Sequence, residues 1–190
     1  MRAIFLDRDG VICENRSDHV KSWEEFEFLP QVKHSLVALS RLELPIIVVT
    51  NQAAINRGLV TVDRVEEIHR RMITELNASG ARIDRVLYCP HRPDEKCKCR
   101  KPEPGMLLQA ARELDIDLAG SYLVGDAATD LLAGDRVRCQ TFLVLTGRGN
   151  SQLWPAFRAM GNQFTITRNL NDAALQIIEA EQQVTLNPTT

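Results

Sequence analysis

Charge of one sign is what this 190-residue sequence lacks: 23 lysines and arginines stand against 25 aspartates and glutamates, a formal net charge of −2. That balance gives no electrostatic footprint for a nucleic acid or an anionic membrane. Aromatics are scarce as well, at 5%, and they are not interleaved with basic residues as a nucleic-acid groove would require. No apolar stretch approaches the length of a membrane span. Met1 leads into an apolar run with no charged n-region, so the expected compartment is the cytoplasm. Internal repeats and low-complexity segments are absent, and the length leaves no room for a second domain. What remains is one globular domain whose expected partner is a small molecule.

Apolar runs alternate with helical patterns along the chain. Ala3-Ile4-Phe5-Leu6, Pro45 to Thr50, Val86-Leu87-Tyr88, Tyr122-Leu123-Val124 and Thr141 to Leu145 read as strands buried on both faces, with Phe164-Thr165-Ile166 as a short edge strand. Between them, Val32, Leu36, Leu39 and Leu42 recur at roughly helical spacing behind Pro30. Val65, Ile68, Met72 and Leu76 form one helix face, with Thr61 or Asp63 as its N-cap. Leu107 to Leu114 and about Asp172 to Gln182 are further helices. The expected fold is therefore an α/β, Rossmann-like doubly wound parallel sheet, one domain over residues 1–182 with a disordered tail at 183–190.

Chemistry gathers where the strands end, the place where open α/β sheets bind ligands. Asp7 and Asp9 close the first strand, and alternation puts both on one side with Arg8 pointing away. Two carboxylates that close ask for a cation. The second strand ends in Thr50-Asn51-Gln52, a hydroxyl and amides suited to phosphate oxygens. Arg100 and Lys101 precede a helix, and Gly125-Asp126-Ala127-Ala128-Thr129-Asp130 places two acids four residues apart at a strand-to-helix junction. Carboxylates for Mg²⁺, with lysine and backbone donors for phosphate, fit phosphoryl transfer. Each piece alone is a common turn or polar loop; all of them in order, each at the end of its own element, is a rare coincidence.

Together these residues resemble the haloacid dehalogenase-like phosphatases: Asp7-Arg8-Asp9-Gly10 matches the first motif, Thr50 the second, Lys101 the third, and Gly125-Asp126 with Asp130 the fourth. The resemblance runs from Met1 to about Gly149. It implies that Asp7 is the nucleophile and Asp9 the general acid and base. It also implies Mg²⁺ held by Asp7, the backbone carbonyl of Asp9 and Asp126, with Asp130 orienting the metal waters or Lys101.

Three of the five cysteines fall within eleven residues, in the pattern Cys89-x-His91-x5-Cys97-x-Cys99. In a chain read as cytoplasmic, such spacing points to a closed Cys3His Zn²⁺ site of structural type rather than to disulfides. Zinc there would fix a polar loop leading directly into Arg100 and Lys101. With this cluster the chain resembles the subgroup containing heptose-bisphosphate phosphatases and histidinol-phosphatases, neither of which has a large cap; only about forty residues separate Asp9 from Thr50.

Residues Thr50 to Gly58 and Arg100 to Met106 look more like the heptose stretch, which implies a sugar bisphosphate losing its 7-phosphate. Asn51, Gln52, Arg57 and Arg100 are the candidate substrate contacts, with Arg148 a weaker one. Histidinol phosphate is the alternative; its ammonium would need spare acids, for which Glu14 and Asp18 lie in a suitable loop. A zinc-stabilised binding module without catalysis is the reading from a different class. A small enzyme without a cap is expected to be a monomer.

Overall fold

In the computed structural model, which describes residues 1–186, the central strands are apolar on both faces because helices cover both. The elements are β1 (Ile4–Leu6), α1 (Val32–Leu39), β2 (Ile46–Asn51), α2 (Val62–Ala78), β3 (Arg85–Cys89), α3 (Gly105–Leu114), β4 (Tyr122–Gly125), α4 (Ala128–Asp135), β5 (Gln140–Val144), α5 (Gly149–Met160), β6 (Thr165–Thr167) and α6 (Leu170–Leu186). All neighbouring strands pair in parallel, in the order β3-β2-β1-β4-β5-β6. This is the doubly wound arrangement the alternation predicts.

Strand parity divides the core. Ile4, Leu6, Ile46, Val48, Tyr122 and Val124 face α1, α2 and α6, meeting Leu36, Met72 and Ile177. Phe5, Ile47, Val49 and Leu123 face the other way, against Met106, Leu107 and Ala110 of α3 and Ala133 of α4. Leu131 of α4, Leu143 of β5, and Ala156 and Met160 of α5 close that second layer. Right-handed crossovers explain the split: connections moving outward through β2 and β3 put their helices on one face, and those through β5 and β6 on the other. The sheet therefore reverses its winding between β1 and β4, and the crevice beyond that pair is the topological switch point.

Two helices differ from the expectation. α4 and α5 carry no clear helical pattern in the sequence; α5 begins with Gly149 and Asn150 and holds Pro155 in its interior, all poor helix formers. Both form because a βαβ crossover must cover the sheet, so tertiary burial overrides propensity. At the C-terminus, the tail expected from residue 183 begins inside the last turn of α6, while residues 187–190 lie outside the described residues. No helix among the described residues is long and apolar enough to cross a membrane.

Candidate active site

β1 and β4 pair directly, Leu6 beside Val124, so the residues that follow them, Asp7 and Asp126, meet at the switch point. Asp7, Asp126 and Asp130 bring carboxylate oxygens within 4.8 Å of one another. The fit is close: Gly10, at φ +85°, lies against the Asp126 carboxylate, where any Cβ would collide with it. Lys101 enters this acidic centre with only 3% of its surface exposed. Its ammonium donates to Asp7 Oδ1 at 2.9 Å, Asp130 Oδ1 at 2.6 Å and the Val49 carbonyl at 2.7 Å, which uses all three of its donors.

The charges decide the protonation states. Burial pushes the Asp7 carboxyl up; Lys101 pulls it back, Asp130 and Asp9 add to the rise, and it stands at about 6. Burial would lower the Lys101 ammonium, but Asp130 and Asp7 outweigh it and push it up to about 12. Asp126 is raised by burial and by Asp7, while Arg148 works against the rise. Arg148 donates its backbone N–H to Asp126 Oδ2 at 2.8 Å and its Nη2 to Oδ1 at 3.1 Å. Asp130 accepts the Ala127 backbone N–H at the start of α4 as well as the Lys101 ammonium, so its carboxylate is held in place.

Asp9 has a separate set of partners, and here the sequence expectation needs correcting. Arg8 does not point away. The strand ends at Leu6 and the chain turns, with the amides of Ile12 and Cys13 donating to the Arg8 carbonyl, so strand alternation no longer applies. Arg8 is fully buried, and its Nη2 donates to both Asp9 carboxylate oxygens at 3.0 Å. Gln52 Nε2 donates to Asp9 Oδ2 at 2.9 Å and to the Thr50 hydroxyl at 2.9 Å. Burial would raise Asp9, yet Arg8 and Gln52 hold it below the ordinary carboxylate range. The other Arg8 nitrogen, Nη1, lies 3.0 Å from Nε2 of His69 on α2. Burial and the neighbouring guanidinium push His69 down to about 3. Neither Arg8 as a clamp nor His69 is apparent from the motifs. The available signal was a histidine within the buried stripe of α2, beside Val65, Ile68 and Met72.

The candidate substrate contacts divide. Asn51 grips the Lys101 backbone reciprocally, its Nδ2 on the carbonyl and its Oδ1 on the amide, both at 3.1 Å; Gln52 is occupied with Asp9 and Thr50. Both are placed to build the site. Arg57 and Arg100 line a cavity of about 300 Å³ above Asp7 and Asp9, joined by Arg16, Ser17, His19 and Arg148. Arg57 is exposed, and Arg100 donates to the His91 carbonyl at 3.1 Å. Asp18 is engaged with Arg16 and Lys21 rather than turned into the cavity, and Glu14 is exposed outside its lining.

Beside this cavity, Cys89 at the end of β3 meets His91, Cys97 and Cys99. Sγ atoms lie 3.1 to 3.5 Å apart, and His91 Nδ1 lies 3.4 and 3.3 Å from Cys89 and Cys99. The loop is tied at two further points: the Gly105 amide donates to the Lys98 carbonyl at 3.1 Å, and Asn56 Nδ2 donates to Glu95 at 3.0 Å. Four converging ligand atoms of this kind could hold a metal ion.

Comparison with known proteins places these features. Residues 98–173 match the HAD-hydrolase-like family model. A protein of Bordetella bronchiseptica named D-glycero-β-D-manno-heptose-1,7-bisphosphate 7-phosphatase is 39% identical over 153 residues, 80% of this chain and 86% of its own. A Pseudomonas aeruginosa protein of the same name is 39% identical over 146 residues, 77% of this chain and 82% of its own. The crystal structure of D,D-heptose 1,7-bisphosphate phosphatase from B. bronchiseptica, complexed with magnesium and phosphate, superposes with a TM-score of 0.89 at 35% identity, covering 95% of this chain and 99% of that one.

Proposed function

The chain belongs to the haloacid dehalogenase-like phosphatases, among the heptose-bisphosphatases, and from this we propose that it removes the 7-phosphate of D-glycero-β-D-manno-heptose 1,7-bisphosphate. Asp7 attacks phosphorus: the bond from its carboxylate oxygen to phosphorus forms as the bond from phosphorus to the sugar oxygen breaks. Asp9 gives a proton to that departing oxygen. Water then attacks the aspartyl-phosphate, Asp9 takes the proton of the water, and inorganic phosphate leaves with Asp7 restored. In the resting site Asp9 is a carboxylate; a phosphate dianion arriving beside it raises its proton affinity, as like charges do.

A hard cation fits the oxygen donors at the switch point, where Asp7 and Asp126 crowd together beside the cradle of Gly10. Mg²⁺ there would be held by Asp7, Asp126 and the Asp9 carbonyl, and when bound it supplies charge neutralisation for the phosphoryl oxygens. Lys101 shares that task, and Asn51 and Asp130 fix where it sits. Thr50 offers its hydroxyl to the phosphate. The Cys3His donors would suit Zn²⁺, which thiolates and imidazole hold in closed sites. No position is left for substrate, so this metal is structural. Its loop carries Arg100 to the cavity wall, where Arg57 and Arg100 are placed for the second phosphate of the substrate. A monomer acting in the cytoplasm is part of the same reading.

The observation that carries this reading is the meeting of Asp7, Asp126, Asp130 and Lys101 beneath a cavity rimmed by arginines. It is tested by comparing turnover of heptose 1,7-bisphosphate, histidinol phosphate and fructose 1,6-bisphosphate by the magnesium-loaded enzyme. The heptose ester is expected to have the highest kcat/KM; preference for histidinol phosphate would overturn the choice of substrate. Loss of magnesium-dependent phosphate release in Asp7→Asn excludes a non-catalytic binding module.

A further inference from the structure

Arg8 brings a positive charge into the interior with none of its surface exposed, and such a charge persists only where its donors are satisfied. One end of the guanidinium reaches Asp9 and the other reaches His69, while Nε has no partner. The fork therefore has two anchoring points, and only the His69 end belongs to the scaffold. Arginine can only donate, so His69 Nε2 must accept, and the proton of the neutral ring sits on Nδ1. The ring itself is 5% exposed, pinned on the α2 stripe and packed against Tyr88 of β3 with ring centroids 5.6 Å apart. The Tyr88 hydroxyl in turn donates to Glu66, one turn before His69 on α2, at 3.1 Å.

We propose that His69 is a positioning residue for the proton-transferring carboxylate: it fixes the Arg8 guanidinium, and Arg8 fixes Asp9. The inference rests on the reading of Asp9 given above. His69 does not line the cavity and bonds to Arg8 rather than to Asp7, Asp126 or Lys101, so its removal leaves those groups in place. Without the Nε2 acceptor, Nη1 of Arg8 is buried and unpaired, the guanidinium turns toward another acceptor, and Asp9 loses its two-oxygen support. The damage then falls on proton delivery to the leaving oxygen.

Leaving-group chemistry isolates that step. kcat/KM reports events up to cleavage of the ester bond. A sugar alkoxide needs a proton as it leaves, whereas p-nitrophenolate does not. In magnesium-loaded enzyme, His69→Leu is expected to lower kcat/KM for heptose 1,7-bisphosphate about tenfold, the scale of a displaced catalytic group, and that for p-nitrophenyl phosphate less than about twofold. His69→Gln, which presents an amide oxygen near the place of Nε2, is expected to restore the sugar ester to within about threefold of wild type. Asp9→Asn serves as the reference. If Asp9→Asn fails to discriminate between the two esters, the assignment of Asp9 is wrong. If it discriminates and His69→Leu does not, losing both esters equally or neither, the positioning role alone is overturned. Failure of the glutamine variant to restore activity while it melts like wild type also overturns it.

Discussion

The carboxylate cluster at Asp7, Asp126 and Asp130 and the thiol cluster at Cys89, His91, Cys97 and Cys99 are assembled in opposite ways. The carboxylates come from the ends of two neighbouring strands and the first turn of α4, Asp7 far in sequence from the other two, and they are buried with Lys101 as counter-charge to Asp7 and Asp130 and Arg148 as counter-charge to Asp126. The thiols come from one short loop, partly open to solvent beyond Cys89, and their donors are those of a closed site. The first arrangement stores electrostatic tension at a reacting position; the second removes freedom from a loop. What they share is Lys101, which belongs to the acidic centre and sits two residues after Cys99. A site whose charges must be placed to within a fraction of an ångström is thus supplied by a loop with little regular structure, a short 3-10 turn at Pro93–Glu95, which a metal held by the thiols would stiffen.

Breaking the acidic half should do the most damage. Asp7→Asn removes the nucleophile and is expected to cost about 10⁴-fold or more in turnover, read as phosphate release. The same change should stabilise the metal-free protein. The Asp7 carboxyl stands at about 6 in the fold against 3.8 ordinarily, so the native state holds this proton more tightly than the unfolded chain. Its contribution to stability is therefore greatest below about pH 4 and declines as pH rises to about 6. Asparagine has no such charge to bury, so a higher melting temperature than wild type is expected above pH 6, worth on the order of 3 kcal/mol. Equal melting at pH 7 without metal would show that Asp7 is not held under tension.

Lys101→Met tests the shared residue. It strips the counter-charge from Asp7 and Asp130, and breaking such a buried pair costs about 3–5 kcal/mol, measured by denaturant unfolding. Turnover should fall about 10³-fold, as when a charge-stabilising donor is lost. Cys99→Ser, or removal of zinc by a chelator followed by resupply of magnesium, touches the other half. There KM for the bisphosphate should rise about tenfold while kcat stays within a few-fold. An equal collapse of kcat would mean that the thiol cluster shares in the chemistry. The smallest effect is expected at the cavity rim: Arg57→Ala should raise KM for the bisphosphate by about 1 kcal/mol of binding, a few-fold, and leave p-nitrophenyl phosphate unchanged.

The two halves also differ in how much of them could be read from sequence. The thiol cluster was legible outright, because all of its ligands lie in one stretch with a metal-binding spacing. The acidic centre was legible as a set of strand ends, because parallel strands bury continuous apolar runs and the polar residue that ends each run stands out. Arg8 was misjudged because alternation holds only within a strand, and this strand stops at Leu6. His69 is invisible in sequence as a partner of Arg8: the contact spans sixty-one residues and depends on where α2 packs, which periodicity alone cannot supply. Asn51 and Gln52 look like phosphate ligands in sequence, since amides at a strand end can serve either a ligand or a neighbouring backbone. In the fold they bond to Lys101 and Asp9, contacts that residue type alone does not foretell. α4 and α5 stayed hidden for a related reason, being helices demanded by the sheet more than by their own residues.

The most direct test is to trap the intermediate. Magnesium-loaded Asp9→Asn enzyme would be mixed with p-nitrophenyl phosphate, whose leaving group needs no proton, quenched in acid within the first turnover and mapped by mass spectrometry. One phosphoryl group on the peptide containing Asp7, lost on treatment with hydroxylamine, is the predicted result. A phosphoryl group on any other residue, or p-nitrophenolate released with no phosphorylated enzyme at any time point, would contradict it.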